Sequence, residues 1–185
     1  QRRFALQAHQ ETLRGMMRQL EDLAATDELT GLYNRRHFIR RAEAELSRLR
    51  AGHRSGLALI DLDYFKRIND QHGHATGDRV LQTFASVARS CLRDDDVLAR
   101  YGGEEFLICM PNTTLEQVEH VAERIRSMVA EQQIIYDKEG NTLQVTASIG
   151  VTSLDPAYSV DDAINKVDEA MYEAKAAGRN LVKVR

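Results

Sequence analysis

The spacing of hydrophobic positions changes several times along the chain, and each change marks an element. From about Arg3 to Ala25 there is no proline, and Leu6, His9, Leu13, Met16, Leu20 and Leu23 recur at alternating spacings of three and four. That is a heptad seam with one polar interruption at His9. It predicts a helix that either pairs as a short coiled coil or lies on its own domain. The segment Asp27-Glu28-Leu29-Thr30-Gly31-Leu32-Tyr33-Asn34 breaks the pattern. Gly31 ends any helix there and Asn34 caps the next, expected over Arg35 to about Arg50 with Phe38, Ile39, Ala42, Leu46 and Leu49 on one face. Gly56 to Asp63 reads as a buried strand running into acidic residues. Gly73 and Gly77 punctuate a loop before a helix from about Asp78 to Leu92. Val97–Tyr101 and Phe106–Met110 flank Gly102-Gly103 as a hairpin. A helix from Leu115 to about Gln132 and a strand pair, Ile134–Tyr136 with Leu143–Val151, come next. A helix over Val160–Ala177, stopped by Gly178, and a short strand Leu181–Val184 complete the chain.

After the first helix the order is roughly β-α-β-β-α-β with an appended hairpin and helix. Alternation of helices and strands, with two strands joined by a tight turn, predicts an α/β (α+β) sandwich: a mixed antiparallel sheet covered by helices. The N-terminal helix, residues 1–26, is then an extension of a domain over residues 27–185.

Composition narrows the classes. The 185 residues include 43% hydrophobic and 29% charged positions, with a formal net charge of −3. A chain-wide basic field for nucleic acid or an anionic membrane is therefore excluded, though a local phosphate patch is not. No apolar run approaches the roughly 20 residues of a bilayer span. The two cysteines, Cys91 and Cys109, sit in apolar stretches and read as buried free thiols of a reducing, cytoplasmic compartment. Because the chain starts at Gln1, an upstream sensor or membrane anchor is expected outside it.

Candidate chemistry clusters at three places. Asp61 and Asp63 stand two apart at a strand end, where they either hold a hard cation or are simply solvated. Gly102-Gly103-Glu104-Glu105 puts paired carboxylates beside a turn without side chains, open to a phosphorylated ligand. Glu104 and the Asp61 region could share a Mg²⁺ bound in turn to a triphosphate. Lys66, Arg67, Lys175 and Arg179 supply cations for phosphate oxygens; Lys175 and Arg179, four apart, share one face at a helix end and equally suit its C-terminus. Asn69 and Asp78 suit the donor edge of guanine, or else cap a turn.

Gly102-Gly103-Glu104-Glu105-Phe106 resembles the signature of the GGDEF family, in its GGEEF form. Four further blocks agree in order and spacing: Asp27 to Arg36, Asp61 to Asp70, Gly73-His74 with Gly77-Asp78, and Ala170-Met171-Tyr172 followed by Lys175, Gly178, Arg179 and Asn180. The resemblance covers about Asp27 to Arg185. It implies a fold similar to nucleotidyl cyclase and polymerase palm domains. It also implies a diguanylate cyclase that joins two GTP into cyclic di-GMP in a homodimer. Mg²⁺, with Mn²⁺ as the alternative, would be held by Asp61, the Leu62 carbonyl and Glu104. Asn69 and Asp78 would hold guanine with His74 nearby, while Gly102 and Gly103 would border the substrate. Lys66 would stabilise the transferring phosphate, and Lys175 and Arg179 the phosphate tail. Glu104 is the candidate base, with Glu105 beside it in a supporting or metal-contacting role. Arg93 and Asp96 match the family's RxxD product-inhibition site, with Arg124 as a second cation. The alternatives are a catalytically silent GGDEF domain serving as a GTP or cyclic di-GMP receptor, a dimerisation module driven by the first helix, and a cyclase for another nucleotide.

Overall fold

Every residue of the strand Gly56–Leu62 is buried, on both faces of the sheet it centres. The computed structural model describes residues 2–49 and 52–185. Its elements are α1 (Arg2–Leu23), α2 (Arg35–Arg48), β1 (Gly56–Leu62), α3 (Phe65–His72), α4 (His74–Ser90), β2 (Val97–Arg100), β3 (Glu105–Met110), α5 (Leu115–Glu131), β4 (Ile134–Ile135), β5 (Thr142–Leu143), β6 (Ala147–Ser153), α6 (Val160–Ala176) and β7 (Val182–Val184). The main sheet runs β2-β3-β1-β6-β7. Its pairs are antiparallel except β6 with β7, which is parallel.

A strand buried on both sides needs helices on both, and the period of two sorts the side chains between them. Leu57 and Leu59 join Leu107, Cys109 and Ala99 beneath Phe38 of α2 and Val167 and Met171 of α6. Ala58, Ile60 and Leu62 join Phe106, Ile108 and Ile149 beneath Phe84 of α4 and Val118 and Ile125 of α5. The expected mixed sheet covered by helices is the architecture observed. Both cysteines are free and buried. Burial pushes the Cys109 thiol up to about 12, so it is inert at neutral pH. Among the described residues no helix is long and apolar enough to cross a membrane.

Two expectations change, and one of the two readings of the first helix falls away. The loop expected around Gly73 and Gly77 is helical: α3 and α4 meet at Gly73 alone, which turns the chain with φ 86°. Gly77 lies inside α4, buried. Leu143–Val151 is not one strand. Thr142–Leu143 pairs with Ile134–Ile135 in a separate two-stranded sheet, and β6 begins only at Ala147. The intervening Thr146 is engaged elsewhere, by its carbonyl and its hydroxyl, with Asp63. Finally, α1 does not lie on its own domain: its side chains from Arg3 to Leu20 are exposed, including Leu6, Leu13, Met16 and Leu20 of the seam. The side chain of Leu23, and Arg50, lie outside the described residues.

Gly150 sets the distance between β6 and α6. A Cβ there would sit 2.1 Å from the Val167 carbonyl oxygen and 2.6 Å from the Met171 nitrogen. Both are backbone atoms of the helix and cannot rotate away, so strand and helix would have to part. Gly150→Ala is expected to cost about 3 kcal/mol of stability, as overpacking of a close contact does; a urea midpoint equal to that of the parent chain would contradict this packing.

Candidate active site

Three segments converge at the C-terminal end of β1: residues 61–66, the turn between β2 and β3, and the turn between α6 and β7. Asp63, just past β1, holds two of them together. Its Oδ1 accepts from Ser148 Oγ at 2.7 Å, and its Oδ2 from Thr146 Oγ1 at 2.7 Å and the Asn180 amide at 3.0 Å. Its own N–H donates to the Thr146 carbonyl. The expectation of an Asp61–Asp63 pair facing a cation is therefore corrected. Asp63 is buried and its oxygens are spent on structure.

Asp61 is different. It lies opposite Glu105 on β3 and Ser148 on β6, so the three share the sheet face toward α6. Lys175 Nζ is 2.8 Å from Asp61 Oδ1, yet no donor is aligned to that buried oxygen. The contact is a close ion pair between the ammonium and a buried carboxylate. Burial pushes Asp61 above the usual carboxylate range; Lys175 opposes this, while Glu104 and Asp63 add to it. Glu105 is raised as well, by burial first and then by Asp61, Asp168 and Glu104, against Lys175. Lys175, expected at a phosphate tail, stands as counter-ion to Asp61, because a buried carboxylate draws the nearest ammonium.

One residue further along, the Leu62 amide donates to the Glu104 carbonyl at 3.2 Å, in the plane of the sheet, and brings those residues level. Asp61, Glu104 and the Leu62 carbonyl are all hard oxygen donors. Among the described residues no three His, Cys, Asp or Glu side chains form a ready cage. Two carboxylates and a carbonyl still fit Mg²⁺, which takes few protein ligands and completes its shell with water and phosphate. The buried Asp61 oxygen without an aligned donor fits the same ion.

Lys66, Asn69, His74, Asp78, Gly103 and Glu104 line one cavity of about 440 Å³, floored by Phe65 and Leu81. The Asn69 Oδ1 is buried there without a donor. A Cβ on Gly77 would lie 1.8 Å from that oxygen, so glycine at this helical position makes room for the Asn69 amide.

Arg100 was not among the expected site residues. Its Nε and Nη2 donate to the Gly103 carbonyl at 3.1 and 2.8 Å, and its Nη1 to Asp27 Oδ1 at 3.2 Å. It ties the glycine turn to the Asp27–Asn34 block. Asp27 also accepts from the Thr30 amide and hydroxyl. Burial acts upward on it, but these partners and Arg100 outweigh burial and hold Asp27 below its ordinary value. An unassigned acid ahead of a lone arginine at the glycine turn is the signal that could have found the pair. Arg179 also departs from expectation. The helix ends at Ala176, and Arg179 (φ 66°) lies in a left-handed turn beyond it, not on a shared helical face with Lys175.

Residues 24–181 match the family described as "Diguanylate cyclase, GGDEF domain". The chain belongs to the GGDEF family. The diguanylate cyclase DgcP of Pseudomonas aeruginosa is 41% identical over 165 residues, covering 87% of this chain and 24% of that protein. The chain spans under half the length of such curated relatives. The solved coiled coil and GGDEF domain of DgcB from Caulobacter crescentus, in complex with c-di-GMP, covers all of this chain (97% of its own) with TM-score 0.86 and 31% identity. The active GGEEF domain of a diguanylate cyclase from Vibrio cholerae covers 82% of this chain and 96% of its own, with TM-score 0.74 and 35% identity.

This GGDEF domain has another cavity, of about 280 Å³, in which Arg93, Asp96, Thr113, Gln117, His120 and Arg124 stand around an apolar patch of Cys91, Met110 and Val121. It brings together the three residues expected at an RxxD site, away from the signature turn. Arg93 Nη2 donates to Thr113 Oγ1 at 2.5 Å and lies 3.6 Å from Asp96 Oδ1. Arg124 Nη2 donates to the Cys91 carbonyl at 2.7 Å. The Asp96 Oδ1 is buried without an aligned donor.

The raised carboxyls of the GGDEF site predict a pH dependence. Asp61 and Glu105 ionise less readily folded than unfolded. They are neutral at low pH and become destabilising as pH rises from the unfolded-state value through their raised range. A divalent cation held by these oxygens would offset the cost of the buried negative charge. Added Mg²⁺ is expected to raise the thermal midpoint at neutral pH, and the increment to vanish as the pH falls through the same range. Calorimetry of the parent and of Asp61→Asn checks this; an equal Mg²⁺ increment in both would contradict it.

Proposed function

We propose that this domain is a diguanylate cyclase, condensing two GTP into cyclic di-GMP and two pyrophosphates with one GTP on each of two copies. The observation that carries the reading is the buried, donorless Asn69 oxygen beside Asp78 in a cavity that ends at Glu104. Guanine presents N1–H and N2–H₂ donors, which match those two acceptors.

In this reading Asn69 and Asp78 orient the base, with His74 at the cavity wall. The Glu104 carboxylate takes the proton of the 3′-hydroxyl. That oxygen bonds to the α-phosphorus of the GTP on the partner copy as the bond to pyrophosphate breaks, and the reaction occurs twice. Mg²⁺, or Mn²⁺ in its place, held by Asp61, the Leu62 carbonyl and Glu104, would supply polarisation of the α-phosphate when bound. Lys66 neutralises charge on the transferring phosphoryl group. Lys175 moves between Asp61 and the phosphate tail, where Arg179 joins it. Glu105 keeps Lys175 near the metal ligands. Gly102 and Gly103 leave the approach open; a Cβ on Gly103 would meet nothing within 4 Å.

A single domain holds half the reactants, so two copies must face each other. The exposed seam Leu6, Leu13, Met16 and Leu20 of α1 suits parallel pairing with a second copy. The chain then divides into a signalling helix, residues 1–26, and a catalytic domain, residues 27–185, that works in the cytoplasm under an upstream sensor. Cyclic di-GMP would also fill the Arg93–Asp96–Arg124 cavity, where Asp96 accepts from a guanine edge and the arginines meet phosphate. Bound there, the product holds two domains apart.

Glu104→Gln is expected to lower cyclic di-GMP formation at least about a hundredfold at unchanged stability, the scale of a lost general base. Incubation with GTP and Mg²⁺, with the product identified by mass, reads this directly; parent-level turnover in the folded variant would overturn the assignment. Arg93→Ala is expected to relieve inhibition by added cyclic di-GMP and leave the uninhibited rate within about twofold, since Arg93 lies outside the metal site. Equal inhibition in both proteins would remove the product site.

A further inference from the structure

Tyr64 is held in a backbone conformation that suits it poorly. It starts α3 in the left-handed region, with φ 55° and ψ 28°, and its side chain makes no cap hydrogen bond. Bulky side chains rarely adopt that conformation, and Asn or Gly would hold it with less strain. Core burial does not explain the ring either, since Tyr64 is 51% exposed. Strain of this kind points to a use at the site.

The ring's contacts indicate that use. The guanidinium carbons of Arg67 and Arg179 lie 4.4 and 4.5 Å from its centroid. Among the described residues neither guanidinium has a carboxylate partner. Two unneutralised cations repel, and the negative face of an aromatic ring offsets that repulsion. The backbone fixes the arrangement. Asp63 immediately precedes Tyr64 and accepts from the amide of Asn180, which immediately follows Arg179. Ring and guanidinium therefore share one anchor, while Lys175 stands nearby on Asp61.

We propose that Tyr64 is a positioning residue: its ring holds the Arg67 and Arg179 guanidiniums in place for the terminal phosphates of a nucleoside triphosphate. The inference rests on the GTP reading above and deepens it. An arginine pre-ordered on a ring loses less rotamer freedom when it meets a phosphate. The effect of Tyr64 therefore grows with the length of the phosphate tail and is absent from the guanine contacts.

The test is calorimetric titration of the parent chain with an α,β-methylene analogue of GTP and with GMP, in Mg²⁺. Tyr64→Asn suits the left-handed backbone, so its thermal midpoint is expected not to fall. It is expected to bind the triphosphate about tenfold more weakly and GMP within about twofold of the parent, the scale of two lost cation–π contacts. Tyr64→Phe keeps the ring and is expected to match the parent. In an Arg67→Ala/Arg179→Ala background the Tyr64→Asn effect is expected to disappear. A ratio of triphosphate to GMP affinity unchanged by Tyr64→Asn overturns the inference alone. So does a loss that persists in the double-arginine background. A parent chain that binds the triphosphate no better than GMP, or binds neither, overturns the functional reading itself and the inference with it.

Discussion

The Asp63 carboxylate is 2% exposed and accepts from two hydroxyls and one backbone amide. A charge at that depth is tolerated only when its oxygens are matched by donors. The donors come from Thr146 and Ser148 at the start of β6 and from the turn after α6, so the match ties two distant stretches of chain to the end of β1. The residues with free chemistry sit next to these fixed points: Asp61 two positions before, Tyr64 one after, Arg179 one before Asn180. The acid that does no chemistry sets the frame for those that carry the site.

The alternation of a β-strand explains how one site draws on both halves of the core. Asp61 and Glu105 face α6 and its Lys175, while their neighbours Leu62 and Glu104 face α4 and the Asn69 cavity. Asp61 and Glu105 on paired strands, with Glu104 just before β3, thus place carboxylates on both sides of the sheet. Only at the sheet's open end can a small ion reach both sets. Arg100 clamps the glycine turn that borders this end, and through Asp27 ties it to the segment that follows α1. A few hydrogen bonds thus join the glycine turn to the segment between α1 and α2.

Much of this was legible in the sequence because it rests on local rules. The cap at Asn34, the stop at Gly178, the hairpin around Gly102-Gly103 and the buried apolar run of β1 follow from turn chemistry and hydrophobic pattern. The grouping of Asn69, His74, Asp78 and Glu104 was implied by the resemblance to the GGDEF family. What stayed hidden depends on contacts distant in sequence. Asp63 looked like a twin of Asp61 until Ser148 and Asn180 were seen to reach it. The eight-residue helix α3 was too short to show a period, and Gly73 and Gly77 look alike on paper although one turns the chain and the other packs inside a helix. Arg179 seemed to extend a helical face that ends three residues earlier.

Gly77 carries a lesson for engineering. Glycine inside a helix gives up about 1 kcal/mol relative to alanine, so any scheme that ranks substitutions by helix propensity will nominate this position for improvement. The space that an alanine methyl would fill is the space occupied by the Asn69 amide. That oxygen belongs to a rotatable side chain, so the fold would accept the change by turning the amide aside. A library selected for thermal robustness would enrich the variant, and the altered cavity would show itself only to an assay of what the domain binds.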